Sequence, residues 1–126
     1  MILDTCALLW LAGNQRDRIS NETLSRIDAA PAVYIVSITG FEIGLKCRAG
    51  KLHLAIPPRK WVDTAVEFHQ ISVIDLDLAL CLRATELPPI HKDPCDRFII
   101  AAALKMSVPV VTADRRFADY GVVALE

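Results

Sequence analysis

With 126 residues, 53% of them hydrophobic and 23% charged, the chain is long enough to bury a core without disulfide or metal staples and too apolar to be disordered. Its formal net charge of −1 excludes a protein that holds nucleic acid by bulk phosphate neutralisation alone, so a polyanion would have to be met by a local patch, by bound cations or by a partner chain. The four cysteines, Cys6, Cys47, Cys81 and Cys95, form no Cys-x-x-Cys pair and have no histidine at zinc-finger spacing, and read as free thiols.

Met1 to Asp4 is predicted as the first strand; with no basic residues and an acid at its end, it does not resemble a secretory leader. No later run approaches the roughly 18 to 20 apolar residues of a membrane span, and a single cytoplasmic domain over residues 1–126 is expected. The pattern then predicts helices over 5–12 and 20–29, a strand over Val33 to Val36, helices over 38–49 and 58–69, and a strand over Ile71 to Asp75. Helices over 76–86 and 94–106, a strand over Val108 to Thr112 and a short last strand over Val122 to Leu125 complete the chain. Gly50, Pro57-Pro58 and Pro88-Pro89 fall between these elements, as chain-breaking residues should. Strands alternating with helices imply an α/β fold, its mostly parallel sheet of four to five strands covered on both faces. Ligand sites of such sheets gather beyond the carboxyl ends of the strands, so acids there carry the functional question.

Asp4 ends the first strand and precedes the apolar helix from Thr5; it suits either an N-cap or a ligand. Glu42 shares a helical face with Ile38, Phe41, Leu45 and Ala49, and a carboxylate in an apolar stripe needs a cation, a hydrogen-bond partner or a proton. Its alternative is a Thr-x-x-Glu capping box with Thr39. In the segment from His91 to Ala103, Asp93 reads as a structural N-cap and Pro94 as the first helical residue. Asp96 then falls in the first turn on the face of Ile99, Ile100 and Ala103, turned toward the sheet, although first-turn acids are also favoured on purely structural grounds. Asp114 follows the strand ending at Thr112 and reaches the same rim as Asp4, with capping of Arg115 to Tyr120 as its other role.

Four carboxylates on one rim repel one another unless cations neutralise them. Oxygen donors without histidine or cysteine suit Mg²⁺ or Mn²⁺, which stabilise the charge developed in an in-line attack on phosphorus, so phosphodiester hydrolysis is the reaction class expected. Ser37 and Thr112 are candidates to orient a ligating acid, while Ser37 alternatively caps its helix. His91 reads as an anchor for the loop before Asp93 rather than a general base. Lys46, Arg48, Lys51, Lys92, Arg97, Arg115 and Arg116 are the bases available to meet a polyanion.

Asp4 after its strand, Ser37 to Leu45 reading Ser-Ile-Thr-Gly-Phe-Glu-Ile-Gly-Leu, the His-x-Asp-Pro-x-Asp-Arg segment with its alanine-rich continuation, and Val111-Thr112-Ala113-Asp114 together resemble the PIN domain, and within it the VapC-like toxins of type II toxin-antitoxin pairs. The resemblance covers essentially the whole chain. It implies a three-layer α/β/α fold, an endoribonuclease dependent on Mg²⁺ or Mn²⁺, a homodimer, and a cognate antitoxin whose tail occupies the active-site groove. The family's acidic residues fall on Asp4, Glu42, Asp96 and Asp114. Gly40, Phe41 and Cys95 depart from common family residues at packing positions and leave the acids intact.

A phosphoryl-receiving signalling domain would need paired acids after the first strand, and a haloacid-dehalogenase-like phosphatase an Asp-x-Asp; Asp4-Thr5-Cys6 provides neither. The alternative from another class is a catalytically silent PIN-like module that binds RNA or a protein.

Overall fold

Two apolar residues suffice for β1, Ile2–Leu3, because both its edges are paired and both its faces covered. The structure, a computed structural model, describes residues 1–126. After β1 come α1 (Thr5–Ala12), a short 3₁₀ helix (Arg16–Arg18), α2 (Asn21–Ala29), β2 (Tyr34–Val36), α3 (Ile38–Arg48), α4 (Pro58–Phe68) and β3 (Ser72–Ile74). Then follow α5 (Leu78–Glu86), α6 (Pro94–Met106), β4 (Val110–Val111), a second 3₁₀ helix (Arg115–Tyr120) and β5 (Ala124–Leu125). All five strands are parallel, in the order β3-β2-β1-β4-β5.

That order dictates the layers. The chain steps from β1 to β2 to β3 in one direction, then returns across the sheet to β4 and β5 on the far side of β1. Since parallel crossovers are right-handed, connections running in opposite directions must cover opposite faces. The core divides accordingly. Leu3, Ile35 and Val111 pack with Leu8, Ile27, Ile43 and Ala65 from α1 to α4, whereas Ile2, Val36 and Val110 pack with Leu80, Ile99 and Ile100 from α5 and α6 and with Phe117. Strands buried on both faces read as unbroken apolar runs, which is why the pattern found them, and the result is the three-layer α/β/α arrangement.

The ends of the elements show where local reading stops. The β4 pairing starts at Val110, because Pro109 has no N–H to add to the ladder and contributes only its carbonyl, which accepts from Ile2 N at 2.9 Å. The fifth helix begins at Leu78 rather than at residue 76, since Asp77 is its N-cap and accepts from Leu80 N at 2.8 Å. The 3₁₀ helix at Arg16–Arg18 had no periodic signal to announce it. In α6, Asp93 caps by accepting from Cys95 N at 2.9 Å, Pro94 opens the helix, and the buried Ala101, Ala102 and Ala103 allow close approach to the sheet and α5. No helix is long and apolar enough to cross a membrane.

Candidate active site

Because β2 and β4 flank β1 and the chain leaves them on opposite faces, the carboxyl end of β1 beside β4 is the switch point of the sheet, where a crevice must open. Asp4 follows β1 there, and Thr112, Ala113 and Asp114 follow β4. Glu42 comes in from α3 and Asp96 from the first turn of α6. Asp4, Glu42, Asp96 and Asp114 line one hollow of about 420 Å³, together with Thr5, Cys6, Trp10, Lys46, Asp93 and Ala113. Two other depressions are lined mostly by apolar residues and hold at most one acid, Asp28, so chemistry rather than shape identifies this hollow as the candidate site.

Each acid is held differently. Asp4 is the N-cap of α1, its Oδ1 accepting from Ala7 N at 2.7 Å, so the capping role and a place in the hollow coexist. Burial raises its pKa; the Thr112 hydroxyl and the Ala7 N–H oppose that rise, while Glu42 and Asp114 add to it. Thr112 also accepts from Asp114 N at 3.0 Å, and so ties the two strand-end acids together. A buried Thr5–Thr39 hydroxyl contact of 3.2 Å joins the first turns of α1 and α3, setting Asp4 beside Glu42.

The capping box between Thr39 and Glu42 does not form. Ser37 precedes the helix and Thr39 lies within it, bonded to Thr5, so Glu42 is left on the inward face. Its Oε2 is buried with no hydrogen-bond partner; the nearest cation, Lys46 Nζ, stands 4.0 Å away. Ser37 neither caps the helix nor lines the hollow: its Oγ accepts from Leu76 N at 3.0 Å, fastening the connection after β3.

Asp96 is pushed up to about 7, first by burial and next by the charge of Asp93, with Glu42 and Asp4 adding to the rise and His91 opposing it. Asp114 goes the other way. Arg116 hydrogen bonds hold its carboxyl well below the usual range, against some burial. His91, 1% exposed, anchors its loop as its place before Asp93 predicts, and it also reaches the acids. Its backbone N–H donates to Tyr120 OH at 2.7 Å, and its Nε2 lies 2.8 Å from Asp114 Oδ2 and 3.1 Å from Asp96 Oδ2. A histidine five residues before Asp96, just ahead of the Asp93-Pro94 helix start, was the available signal, but nothing local placed it against Asp114.

Arg97 leaves the set of bases free to meet a polyanion. Its guanidinium donates to the carbonyls of Ala84, Leu87, Pro88 and His91 at 2.8 to 3.2 Å, closing the C-terminal end of α5 and the loop that carries His91. Lys46 lines the hollow, and Arg116 sits on Asp114.

A parallel α/β/α sandwich whose switch-point crevice gathers four carboxylates defines a class of acid-cluster domains suited to divalent cations. The sequence pattern of the PIN domain matches residues 1–123, and the chain belongs to that family. It is 26% identical over 121 residues to Ribonuclease VapC22 of Mycobacterium tuberculosis, covering 95% of this chain and 91% of that protein. Among solved structures, VapBC2 from Rickettsia felis, bound to a DNA fragment from its promoter, superposes with a TM-score of 0.70 at 17% identity, covering 99% of this chain and 96% of that one. FitAcB from Neisseria gonorrhoeae gives 0.66 at 17% identity with the same coverages. These two likenesses establish the fold.

Proposed function

We propose that this protein is a divalent-cation-dependent endoribonuclease, the toxin of a VapC-like toxin-antitoxin pair, with Asp4, Glu42, Asp96 and Asp114 as the acids that hold Mg²⁺ or Mn²⁺. The carrying observation is the buried Glu42 Oε2, which has no hydrogen-bond partner on the wall of a hollow whose other acids include two with raised pKa values. A buried carboxylate oxygen without a hydrogen bond is costly, on the order of several kcal/mol, and Lys46 at 4.0 Å offsets that only in part, so a cation in the hollow would relieve it. The all-oxygen donor set fits a hard divalent cation.

When bound, such an ion activates water and stabilises the charge that develops on a phosphate during hydrolysis. The chain's own residues prepare for it. Ala7 N–H and Thr112 fix Asp4, the Thr5–Thr39 contact sets Glu42 beside it, and His91 holds Asp96 and Asp114 at one ring edge. Lys46 at the wall and Arg116 at Asp114 supply the local positive charge that the overall balance of −1 lacks.

Ribonuclease as the activity and RNA as the substrate draw support from the likeness to Ribonuclease VapC22. A protein partner draws support from the surface. An apolar trough of about 430 Å³ between α3 and the start of α6 is lined by Ile38, Phe41, Leu45 and Phe98 and shares Glu42, Lys46 and Asp93 with the acid hollow. Phe41 and Leu45 are more than half exposed, and an antitoxin segment seated there would run directly into the acids.

The test is incubation of purified, partner-free protein with a broad set of RNAs, with Mg²⁺ or Mn²⁺ and then with chelator. Cleavage that stops on chelation is expected. Cleavage surviving chelation would refute the metal mechanism, and no cleavage of any RNA would favour a PIN-like binding module.

A further inference from the structure

Asp114 carries more donors than any of the other three acids, and both its oxygens are engaged. Arg116, two residues on, folds back so that its Nε lies 2.9 Å from Oδ1 and 3.2 Å from Oδ2, with Nη2 2.7 Å from Oδ2. Its backbone N–H donates to Oδ1 at 3.0 Å, and His91 Nε2 takes Oδ2 at 2.8 Å. Glu42 Oε2, on the same hollow, has no hydrogen bond and only Lys46 Nζ at 4.0 Å. The two partners of Asp114 are not equivalent: His91 is buried and fixed by its loop, whereas the Arg116 side chain is 55% exposed and can turn into solvent without uncovering a core. Arg116 N–H and Nε on Oδ1, and Nε, Nη2 and His91 Nε2 on Oδ2, take up the roughly four acceptor sites of a carboxylate.

We infer that Arg116 is a built-in counter-cation of the acid hollow: a divalent ion reaches Asp114 only by displacing its guanidinium, so Arg116 sets the concentration at which the site loads. The inference rests on reading the hollow as a divalent-cation site. The exchange makes and breaks no covalent bond: the singly charged guanidinium turns from the carboxylate into water and a doubly charged ion takes its place, so the hollow gains one positive charge, and Arg116 acts as a positioning residue through Asp114. Neighbouring Arg115 carries the same charge but pairs with no carboxylate, which makes it the internal control.

Mn²⁺ affinity of the full chain, measured by calorimetric titration, tests this without any appeal to activity. Arg116→Ala and Arg116→Gln should each bind Mn²⁺ roughly threefold to fivefold more tightly than the native chain, the upper end of the scale for one well-formed exposed ion pair given up. Arg115→Ala should change the affinity by less than about twofold, as expected of a screened, unpaired charge. In an Asp114→Asn background the gain from Arg116→Ala should vanish. Equal affinities for native and Arg116 variants, equal effects at Arg115 and Arg116, or a gain that persists without Asp114 would each overturn the inference while leaving the metal site standing. A native chain that takes up no Mn²⁺ even at millimolar concentration would remove the metal reading itself, and the competition with it.

Discussion

The backbone N–H of Asp93 donates to Nδ1 of His91 at 3.1 Å, and that bond decides which ring nitrogen carries the proton. With the Nδ1 lone pair engaged, the ring hydrogen sits on Nε2, facing Asp114 at 2.8 Å and Asp96 at 3.1 Å. The donor atoms of His91, Asp96 and Asp114 lie within 4.8 Å of one another, as those of a metal triad would. The tautomer argues otherwise: a protonated Nε2 cannot ligate a cation, so His91 is a shared donor that keeps two repelling carboxylates together. His91→Phe, which keeps an aromatic ring beside Phe117 but removes the donor, should weaken Mn²⁺ binding about 10- to 100-fold, the usual scale for residues that orient ligands. Nitrogen-15 spectra of the native imidazole should show the Nε2–H form; an Nδ1–H tautomer, or unchanged metal affinity in the variant, would show the ring has no such role.

Asp96→Asn keeps the shape of the side chain and an oxygen for the His91 donor while removing the charge. Ribonuclease turnover should fall by about 10²- to 10³-fold, the scale for losing one group that stabilises developing charge. The metal-free variant should also melt a few degrees above the native chain at pH 8, because the native carboxyl, pushed up to about 7, must be buried ionised there. Lower thermal stability with intact turnover would place the chemistry elsewhere.

The same raised pKa sets a pH dependence whose sign is fixed. Between about pH 4, where Asp96 ionises in the unfolded chain, and about pH 7, the folded protein holds the extra proton, so metal-free stability should fall as pH rises through that window. Asp4, raised by burial, acts in the same direction; Asp114, held down mainly by Arg116, gives a contribution that is already complete above about pH 4. Mg²⁺ needs the ionised carboxylate, so its stabilising effect should grow with pH and level off above about 7. Asp93→Asn retains a good cap and removes the second cause of the shift; its pH midpoint should move down with turnover near normal at pH 8. Thermal melts at several pH values, with and without Mg²⁺, read all of this, and a metal-free stability that climbs from pH 5 to 7 would contradict it.

Arg97→Lys looks conservative and should not be. A lysine cannot fork to the carbonyls of Ala84, Leu87, Pro88 and His91, and charge-assisted bonds of this kind contribute about 1.5 to 3 kcal/mol each, so a loss of at least about 2 kcal/mol is expected in urea denaturation. Mn²⁺ affinity should weaken with it, because the loop being tied carries His91. A stable variant with native affinity would mean that the carbonyls find water at no cost.

What could be read from residue order alone was whatever depends on near neighbours. Apolar periodicity located the strands and helices, Asp93-Pro94 announced its own helix start, and Asp4 and Asp114 declared themselves by following apolar strands. Strand order is different in kind, because it is set by which two-sided apolar segments bury one another across long separations. Only the pairing of β1 with both β2 and β4 brings residue 4 beside residue 114 and opens the crevice between them. The same long-range packing joined Thr5 to Thr39 and so undid the capping box expected at Glu42, turned Arg97 from a surface charge into a carbonyl clasp, and brought a buried imidazole to two acids that lie 5 and 23 residues along the chain from it. A local pattern carries the energy of one turn; who meets whom at the sheet edge depends on burial summed over the whole domain.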